Sequence, residues 1–419
     1  MHEGAPASGM QGWEAPNHQN DQHEMTGPTV LPPGFDAFRH ALYQSTRVRL
    51  EPGHRVELVE NGRIFDEVIE SIRQATEFVH ILVFIWRPSE PSDRIVEALC
   101  ERARAGVACR VVVDPVGSQE VRGEHDFNPK VEQRLREGGV EVHYFRPLSG
   151  RWFGRILGRT HHKLVLVDGR VGFTGGFGIW KSWQGEGDSP EEWRDTNVRV
   201  EGPALREMQL AFARTWQECG GALLPENCFS APTDEGDATA CFVESAGGPG
   251  LSDAERMLRI VFAAARRRLW IANAYFTPPK AILEQLLEKR KQGVDVRVLA
   301  AGPVHDWRIV RASQRATYEQ MLKGGVRLWE YQPSMLHSKT VLVDDWLSVV
   351  GSTNLDALSL HRMREGSLVV ADRRLAAKLE KCWGRDLSHA KEMTLAHGGR
   401  TNPWRRFARR VTQLLATDR

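Results

Sequence analysis

Two stretches of this sequence follow one pattern: residues 161–176 read HHKLVLVDGRVGFTGG, and residues 337–354 read HSKTVLVDDWLSVVGSTN. Each begins with His-x-Lys, reaches an Asp after four residues, and reaches Gly-Gly or Gly-Ser after six more. The apolar runs between Lys and Asp are typical of buried strands. A histidine and a lysine two positions apart on a strand point to the same face. The sequence therefore predicts two similar strands that each present an imidazole and an ammonium group.

The segments that precede the two motifs also correspond to each other. In order, they are residues 75–89, 104–114 and 135–147 before the first motif, and residues 266–280, 291–303 and 322–334 before the second. An internal repeat of this kind indicates a duplicated unit. Short apolar runs alternate with amphipathic stretches, which favours an α/β fold. We predict two tandem repeats, each a mostly parallel β-sheet flanked by helices, packed pseudo-symmetrically around one active site.

Composition shifts along the chain divide it further. The first residues are rich in His, Gly and Pro, whereas the segment between the repeats is rich in Pro, Asn and Asp. The predicted units are a disordered tail (1–30), a first domain (31–222), a linker (223–240), a second domain (241–395) and a basic amphipathic segment (396–419).

Bulk properties exclude several classes of protein. A net charge of +2 argues against binding nucleic acid through bulk charge, so any anion must be held by local clusters. The six cysteines show no CxxC pair and no metal-ligand spacing, which predicts free thiols and a reducing compartment. No apolar run approaches the ~20 residues of a membrane span. We therefore predict a cytoplasmic protein without a metal site.

The residue types of the motifs suit phosphate chemistry. A histidine can attack phosphorus or donate a proton near neutral pH, and a lysine can stabilise a phosphate oxygen. A lone His-x-Lys is more often a surface pair. Here the same pattern occurs at equivalent positions of two repeats, which favours a catalytic role for His161, Lys163, His337 and Lys339.

The sequence resembles the phospholipase D superfamily, whose motif reads H-x-K-x4-D-x6-G-[GS]-x-N. It is similar in particular to bacterial cardiolipin synthases without transmembrane helices. The stretches that carry this likeness, besides the two motifs, are residues 193–204 (WRDTNVRVEGPA), 271–279 (IANAYFTPP), 330–345 (EYQPSMLHSKTVLVDD) and 351–360 (GSTNLDALSL).

The resemblance implies a phosphohistidine intermediate formed by one motif histidine, while the other protonates the leaving alkoxide. In the family's usual assignment His161 is the nucleophile and His337 the general acid, although the two sites are pseudo-equivalent and the order stays open. The residues implied to hold phosphate are the two lysines with Asn354 and Ser352 and, through backbone N–H groups, Gly175 and Gly176. The first motif departs from the family pattern, because Gly178 stands where Asn is usual.

Carboxylates complete the predicted site. A nucleophilic imidazole needs an acceptor on its other nitrogen. Glu365 follows His337 where family members carry that carboxylate, and Asp195 is the candidate partner of His161. Asp168 and Asp344 belong to the motifs, but we expect structural roles for them at the strand ends.

The substrate class rests on other features. Residues 146–163 interleave four arginines with bulky apolar residues, and residues 402–419 place apolar side chains on one helical face beside arginines. Such segments suit an anionic membrane surface, although packing of the C-terminal helix on the body is an equally good interpretation. With the resemblance, this favours a phosphatidyltransferase that makes cardiolipin-type lipid from phosphatidylglycerol, attached peripherally to the inner face of the membrane.

The alternatives are a phospholipase D hydrolase and, less favoured, a nuclease. No cofactor and no nucleic-acid partner are expected. Since one chain contains both motifs, catalysis does not require an oligomer.

Overall fold

The computed structural model of the protein describes residues 31–119, 127–147, 158–247 and 250–398. The predicted N-terminal tail (1–30) and most of the predicted C-terminal segment (396–419) lie outside these ranges.

The strands, in chain order, are β1 (Glu51–Glu60), β2 (Phe78–Val83), β3 (Ala108–Val113), β4 (Glu141–Tyr144), β5 (Lys163–Val167), β6 (Val171–Gly175), β7 (Trp193–Arg194), β8 (Thr196–Glu201), β9 (Ala238–Ser245), β10 (Arg268–Asn273), β11 (Asp295–Ala301), β12 (Arg327–Tyr331), β13 (Met335–Leu336), β14 (Lys339–Val343), β15 (Leu347–Gly351), β16 (Glu365–Ala371) and β17 (Ala390–Glu392).

The helices are α1 (Phe35–Thr46), α2 (Arg63–Arg73), α3 (Glu90–Arg104), α4 (Pro115–Ser118), α5 (Pro129–Glu137), α6 (Leu205–Glu218), α7 (Asp253–Ala264), α8 (Lys280–Lys291), α9 (Arg308–Lys323), α10 (Ala357–Arg362), α11 (Arg373–Ser388) and α12 (Leu395–Gly398). Short 3₁₀ turns occupy Lys181–Trp183 and Glu226–Phe229.

The predicted internal repeat is visible in the strand pairing. In each half, three strands that follow one another in the chain pair in parallel: β2 with β3 and β3 with β4 in the first half, and β10 with β11 and β11 with β12 in the second. In each half the motif strand lies antiparallel on the other side, so that Lys163 is opposite Val83 and Lys339 is opposite Asn273. The two motif lysines therefore occupy equivalent positions in the two repeats.

The predicted α/β fold of two repeats is confirmed, but the prediction of mostly parallel sheets is wrong in detail. The halves join through β1 and β9 into a single 15-stranded sheet. Across the described residues, four of its neighbouring strand pairs are parallel and ten are antiparallel. Part of the reason lies in the motifs: only three residues separate β5 from β6 and β14 from β15, and so short a turn joins antiparallel strands only.

Helices and sheet enclose the motif strands on both faces. Helices α2, α3 and α5 cover one face of the first half, and α1, α7, α8 and α9 cover one face of the second. The opposite faces meet in a shared core, where Leu166 and Val198 of the first half join Val350 and Leu368 of the second. Because both faces are covered, every residue of β5 and β14 is buried. The motif side chains are thus fixed on rigid strands at the junction of the repeats.

Three sequence-based expectations concern the rest of the chain. All six cysteines are free, and five of them are buried. Within the described ranges, no helix is long and apolar enough to cross a membrane. The predicted domain boundaries stay predictions; β9 begins at Ala238, inside the segment predicted as the linker.

Candidate active site

Each motif histidine is held by the backbone of the other repeat. The N–H of His161 donates to the carbonyl of Arg364 at 2.8 Å, and the N–H of His337 donates to the carbonyl of Arg194 at 2.8 Å. The strand pair β7–β13 and a bridge between Thr160 and Arg364 continue these contacts. The two repeats therefore meet where the histidines lie.

Glu365 is the carboxylate beside the first motif histidine. Nδ1 of His161 lies 3.0 and 3.1 Å from the two carboxylate oxygens of Glu365. The hydroxyls of Ser352 and Ser359 also donate to this carboxylate. Glu365 is fully buried, so its charge is stabilised only by these fixed groups and nearby cations.

Asp195 is the carboxylate beside the second motif histidine. Nδ1 of His337 lies 3.0 Å from Oδ2 of Asp195. The indole N–H of Trp183 donates to the same oxygen at 2.8 Å, and the N–H of Thr196 donates to Oδ1 at 2.8 Å. The rings of Trp183 and Trp193 pack against the imidazole, with centroids 5.1 and 4.9 Å away.

The predicted pairing of Asp195 with His161 is therefore wrong. Each histidine contacts the carboxylate of the other repeat, so that Glu365 lies beside His161 and Asp195 beside His337. Both acids begin or precede a strand that lies next to the motif hairpin of their own repeat. Their side chains nevertheless reach across the junction, because the histidine segments are docked there by the opposite repeat.

The charge state of the site follows from burial. Burial lowers the pKa of His161, and it lowers the pKa of His337 to about 3. Burial opposes ionisation of Glu365 and Asp195, but their contacts with the histidines hold the pKa of both carboxyls below the usual values. Two neutral imidazoles thus donate Nδ1–H to two carboxylates. Each keeps an unprotonated Nε2, which is the atom a nucleophile or general base needs.

The motif lysines lie beside the histidines. Nζ of Lys163 donates to the carbonyl of His161 at 2.7 Å, and Nζ of Lys339 donates to that of His337. Burial lowers the pKa of Lys163 to about 7 and that of Lys339 to about 8. An anion bound between the two buried lysines would raise the pKa of both side chains and so favour their charged forms. The site is therefore selective for negative charge.

The glycines and the serine that end the motifs contact buried polar side chains. The N–H of Gly176 donates to Oδ1 of Asn197 at 3.1 Å, and the hydroxyl of Ser352 donates to Glu365. A Cβ on Gly176 would lie 2.4 Å from an oxygen of Asp195, and one on Gly175 would lie 2.2 Å from Oδ1 of Asn197. These positions make room for, or bind, buried partners, and the expectation that Gly175, Gly176 and Ser352 also hold substrate stays a prediction.

The final motif position differs between the repeats. Asn354 lines the site, and its buried Oδ1 has no hydrogen-bond partner among the described residues. Its counterpart Gly178 is packed tightly: a Cβ there would lie 2.8 Å from the ring of Trp183 and 3.0 Å from Ile85. The asparagine missing from the first motif is therefore replaced by the indole that supports Asp195.

The motif aspartates lie at the far ends of the strands, as expected of structural residues. Asp168 accepts hydrogen bonds from the backbone N–H groups of Glu77 and Phe78 at 2.8 Å each. Asp344 accepts from those of Arg267 and Arg268 at 2.8 and 2.9 Å. Both aspartates have positive φ, 53° and 51°, a conformation that Asp tolerates. They tie each motif strand to the start of the neighbouring strand.

A cavity of about 560 Å³ opens onto both histidines. Apolar side chains form much of its wall: Phe84, Ile85, Val116, Trp180, Trp193, Trp307, Ile309, Val310, Leu358 and Met363. Its charged groups divide between the repeats, with Arg87, Arg159 and Lys163 from the first and Asp306 and Asp356 from the second. The cavity thus combines an apolar lining with opposite charges on its two sides.

Several residues of this site were not predicted from the sequence. Trp183 and Asp306 belong to no motif, and Tyr275 entered only as part of a matching stretch. Tyr275 lies two positions after the end of the buried strand β10. A polar residue at the end of a strand is a weak signal for a site there. No comparable sequence signal marks Trp183 or Asp306.

The arginines of residues 146–163, which we expected at a membrane surface, are partly engaged inside the protein. Arg159 is buried and forms an ion pair with the buried Asp114 at 2.8 Å, and Arg146 pairs with Glu218 at 2.8 Å. Two of the four arginines are thus engaged within the protein, while Arg151 and Arg155 lie outside the described residues. In the part of the chain that is described, no three His, Cys, Asp or Glu side chains are grouped as metal ligands.

Comparisons with known proteins agree with this geometry. The family described as "Cardiolipin synthase, PLD-like domain" matches residues 68–216 and 258–387. Cardiolipin synthase A of Pseudomonas putida strain F1 is 33% identical over 366 residues, which cover 87% of this chain and 74% of that protein. The enzyme of the same name from Pseudomonas aeruginosa strain LESB58 is 33% identical over 380 residues, covering 89% and 74%.

Among solved structures, the phosphatidylserine synthase of Haemophilus influenzae Rd KW20 matches with a TM-score of 0.68. It is 15% identical and covers 91% of this chain and 98% of its own, so this likeness concerns the fold. The site geometry and the relatives agree: the chain belongs to the cardiolipin synthase-like branch of the phospholipase D superfamily and is an enzyme of its phosphatidyltransferase type.

Proposed function

We propose that this enzyme transfers a phosphatidyl group from one phosphatidylglycerol to another, giving a cardiolipin-type lipid and glycerol. One observation carries the proposal: a single cavity with mostly apolar walls opens onto two imidazoles, each oriented by a buried carboxylate. The names of the Pseudomonas relatives support the choice of lipid.

In the first step, Nε2 of His161 attacks phosphorus and the bond to the head-group glycerol breaks. The Glu365 carboxylate stabilises the positive charge that develops on this imidazole, since it accepts the Nδ1–H. Lys163 and Lys339 stabilise the non-bridging oxygens of phosphate, with Asn354 beside them. His337 gives a proton to the leaving alkoxide, and the negative phosphate favours that proton on its imidazole.

In the second step, His337 takes the proton from a hydroxyl of the acceptor phosphatidylglycerol. The new alkoxide attacks phosphorus and the bond to His161 breaks, which regenerates the enzyme. Splitting one displacement into two keeps the phosphatidyl group on the enzyme until an acceptor arrives.

The apolar lining favours transfer over hydrolysis. A second lipid that fills the cavity excludes water from the phosphohistidine, whereas an open aqueous cleft would give a phospholipase D hydrolase. The lining also supports a lipid substrate over a nucleic acid. A nuclease is expected to bind its substrate in a basic groove with aromatic side chains that stack on the bases, whereas this cavity has mostly apolar walls.

We also propose peripheral attachment to the inner face of an anionic membrane. Trp307, at the cavity wall, is 54% exposed, and indole rings favour the head-group region of a membrane. The basic apolar segment at residues 402–419 would add electrostatic attraction. Both half-sites come from one chain, so a monomer suffices.

The test is an assay with phosphatidylglycerol vesicles in excess EDTA, followed by analysis of lipids and glycerol. Cardiolipin and glycerol in equal amounts are expected. Phosphatidic acid as the main product would mean hydrolysis. Cleavage of DNA without lipid turnover would overturn the lipid substrate, and loss of all activity in EDTA would overturn the metal-independent mechanism.

A further inference from the structure

The two repeats differ in the partners of the acidic residue that follows β3 or β11. In the first repeat, Asp114 follows β3 and is neutralised by Arg159, whose guanidinium lies 2.8 to 3.1 Å from the carboxylate. In the second repeat, Asp306 follows β11 and lines the cavity, and within the described ranges no Lys or Arg forms an ion pair with it. The second repeat therefore presents to the substrate a carboxylate that pairs with no Lys or Arg of the described residues.

Asp306 is held in place by its neighbours. The hydroxyl of Tyr275 donates to Oδ2 at 2.5 Å, and Nδ1 of His305 lies 3.2 Å from Oδ1. Burial opposes ionisation, but the neighbouring His305 and the hydroxyl of Tyr275 keep the pKa of Asp306 below its usual value. The group is therefore an anion that only accepts hydrogen bonds. About a quarter of its side chain, 24%, stays accessible, so lone pairs remain for a ligand.

Helix capping does not account for Asp306, since it lies just before α9 and no side chain caps that helix. Its carboxylate faces the half of the site that contains His337: the ring of Tyr275, which it fixes, has its centroid 6.2 Å from that of the imidazole. Burial lowers the pKa of Lys339 to about 8, and Asp306 is one of the carboxylates whose charge opposes the shift.

A second observation in the same cavity points to a ligand with hydroxyl groups. Oδ1 of Asn354 is buried and has no hydrogen-bond partner among the described residues. An unpaired buried acceptor costs free energy until a donor arrives. A carboxylate and an amide oxygen on one side of a cavity suit an alcohol with several O–H donors.

We propose that Asp306, positioned by Tyr275, binds a non-reacting hydroxyl of the acceptor head group and so selects a polyol over a simple alcohol. This inference rests on the proposed transfer reaction. The hydroxyl next to the attacking oxygen would donate to Asp306, which holds the attacking hydroxyl near His337. Across the cavity the first repeat supplies Arg87, which suits the phosphate of an acceptor lipid. The charge difference between the two sides thus orients the acceptor.

The experiment measures how the enzyme divides one donor between two soluble acceptors. Phosphatidylglycerol vesicles are mixed with equal concentrations of glycerol carrying an isotopic label and of 1-propanol, and the labelled phosphatidylglycerol and phosphatidylpropanol are quantified. Both products come from the same phosphatidyl-enzyme, so their ratio does not depend on the folded fraction of a variant. The wild type should prefer glycerol.

Asp306→Asn should reduce that preference about ten- to a hundredfold, the range expected for losing a charge-assisted hydrogen bond. Tyr275→Phe should reduce it less, since the carboxylate remains but loses its positioning partner. The control is Asp345→Asn, because this aspartate lies in the turn after β14, where it pairs with Arg267. Its ratio should match the wild type.

A wild-type ratio in Asp306→Asn would overturn the inference while leaving the transfer reaction intact. If Asp306→Asn shows no turnover, the product ratio of Tyr275→Phe tests the inference: a reduced preference for glycerol supports it, and a wild-type ratio overturns it. Loss of all turnover in both would place the pair in the chemistry and would also overturn the selective role. Failure of the wild type to make any transfer product would instead overturn the proposed function.

Discussion

The two half-sites share one backbone plan but are built from different side chains. His161 contacts a glutamate supported by two serine hydroxyls, whereas His337 contacts an aspartate supported by an indole N–H and a backbone N–H. The difference is local in origin: Ser352 can donate to Glu365, while a side chain at the equivalent Gly176 would collide with Asp195. Duplication therefore conserves geometry while each half acquires its own chemistry.

The largest expected effect comes from removing either histidine. His161→Ala and His337→Ala should each lower kcat by about 10⁴- to 10⁶-fold with phosphatidylglycerol, because neither role has a substitute. Phosphatidyl-p-nitrophenol separates the roles, since its leaving group needs no proton. With this donor, His337→Ala should release a burst of p-nitrophenol and His161→Ala should not.

A burst from His161→Ala and none from His337→Ala would reverse the assignment of nucleophile and acid. The His162→Gln variant serves as a control, because this neighbouring histidine is not among the residues that line the cavity. It should retain a burst.

The crossed carboxylate pairs should have the next largest effect. Glu365→Gln and Asp195→Asn should each lower kcat by about 10²- to 10⁴-fold, because an amide can donate to Nδ1 and so favour the wrong tautomer. Histidine ¹⁵N NMR spectra identify the pairing: Glu365→Gln should alter the signals of His161 and leave those of His337. The exposed Glu392→Gln is the matched control. Altered signals of His337 alone in Glu365→Gln would contradict the crossed arrangement.

The lysines should limit activity on the alkaline side. In the free enzyme the pKa of Lys163 is about 7 and that of Lys339 about 8, so both are charged below these values and neutral above them. kcat/KM, which reports the free enzyme, should therefore fall about tenfold per pH unit above pH 7 and more steeply above pH 8. kcat should decline only at higher pH, because bound phosphate retains the protons. A flat kcat/KM up to pH 9 would exclude this role.

The smallest expected effect concerns the missing asparagine. Gly178→Asn restores the family motif, but its side chain would displace the ring of Trp183 from Asp195. The free energy of unfolding should fall by about 1–3 kcal/mol, as for other overpacked cores, and kcat should fall by about tenfold rather than rise. Thermal unfolding and steady-state assays measure both. Gly293→Asn is the control for kcat: a Cβ there meets no atom within 4 Å, and its φ of 88° strains the backbone away from the site, so stability should fall while kcat keeps the wild-type value. Higher activity in Gly178→Asn would mean that the first half-site lacks a phosphate contact.

Much of the fold and the centre of the site could be predicted from residues alone. The alternation of apolar runs, repeated in the same order, identified two α/β units, and the motif spacing placed a histidine and a lysine on each of two equivalent strands. The structural role of Asp168 and Asp344 was equally accessible, since an aspartate that ends an apolar run is a typical turn residue. These features depend on local periodicity, which a sequence records directly.

The tertiary structure decided what lies between the repeats. The sequence suggested Asp195 as the partner of His161, yet His161 contacts Glu365 and His337 contacts Asp195, because docking of the two halves brings residues far apart in the chain together. Packing within the first repeat placed Asp195 against Gly176, and among the described residues Asp306 lines the cavity without a Lys or Arg partner. Local sequence determined which groups are available for catalysis, while packing across the junction determined which of them touch.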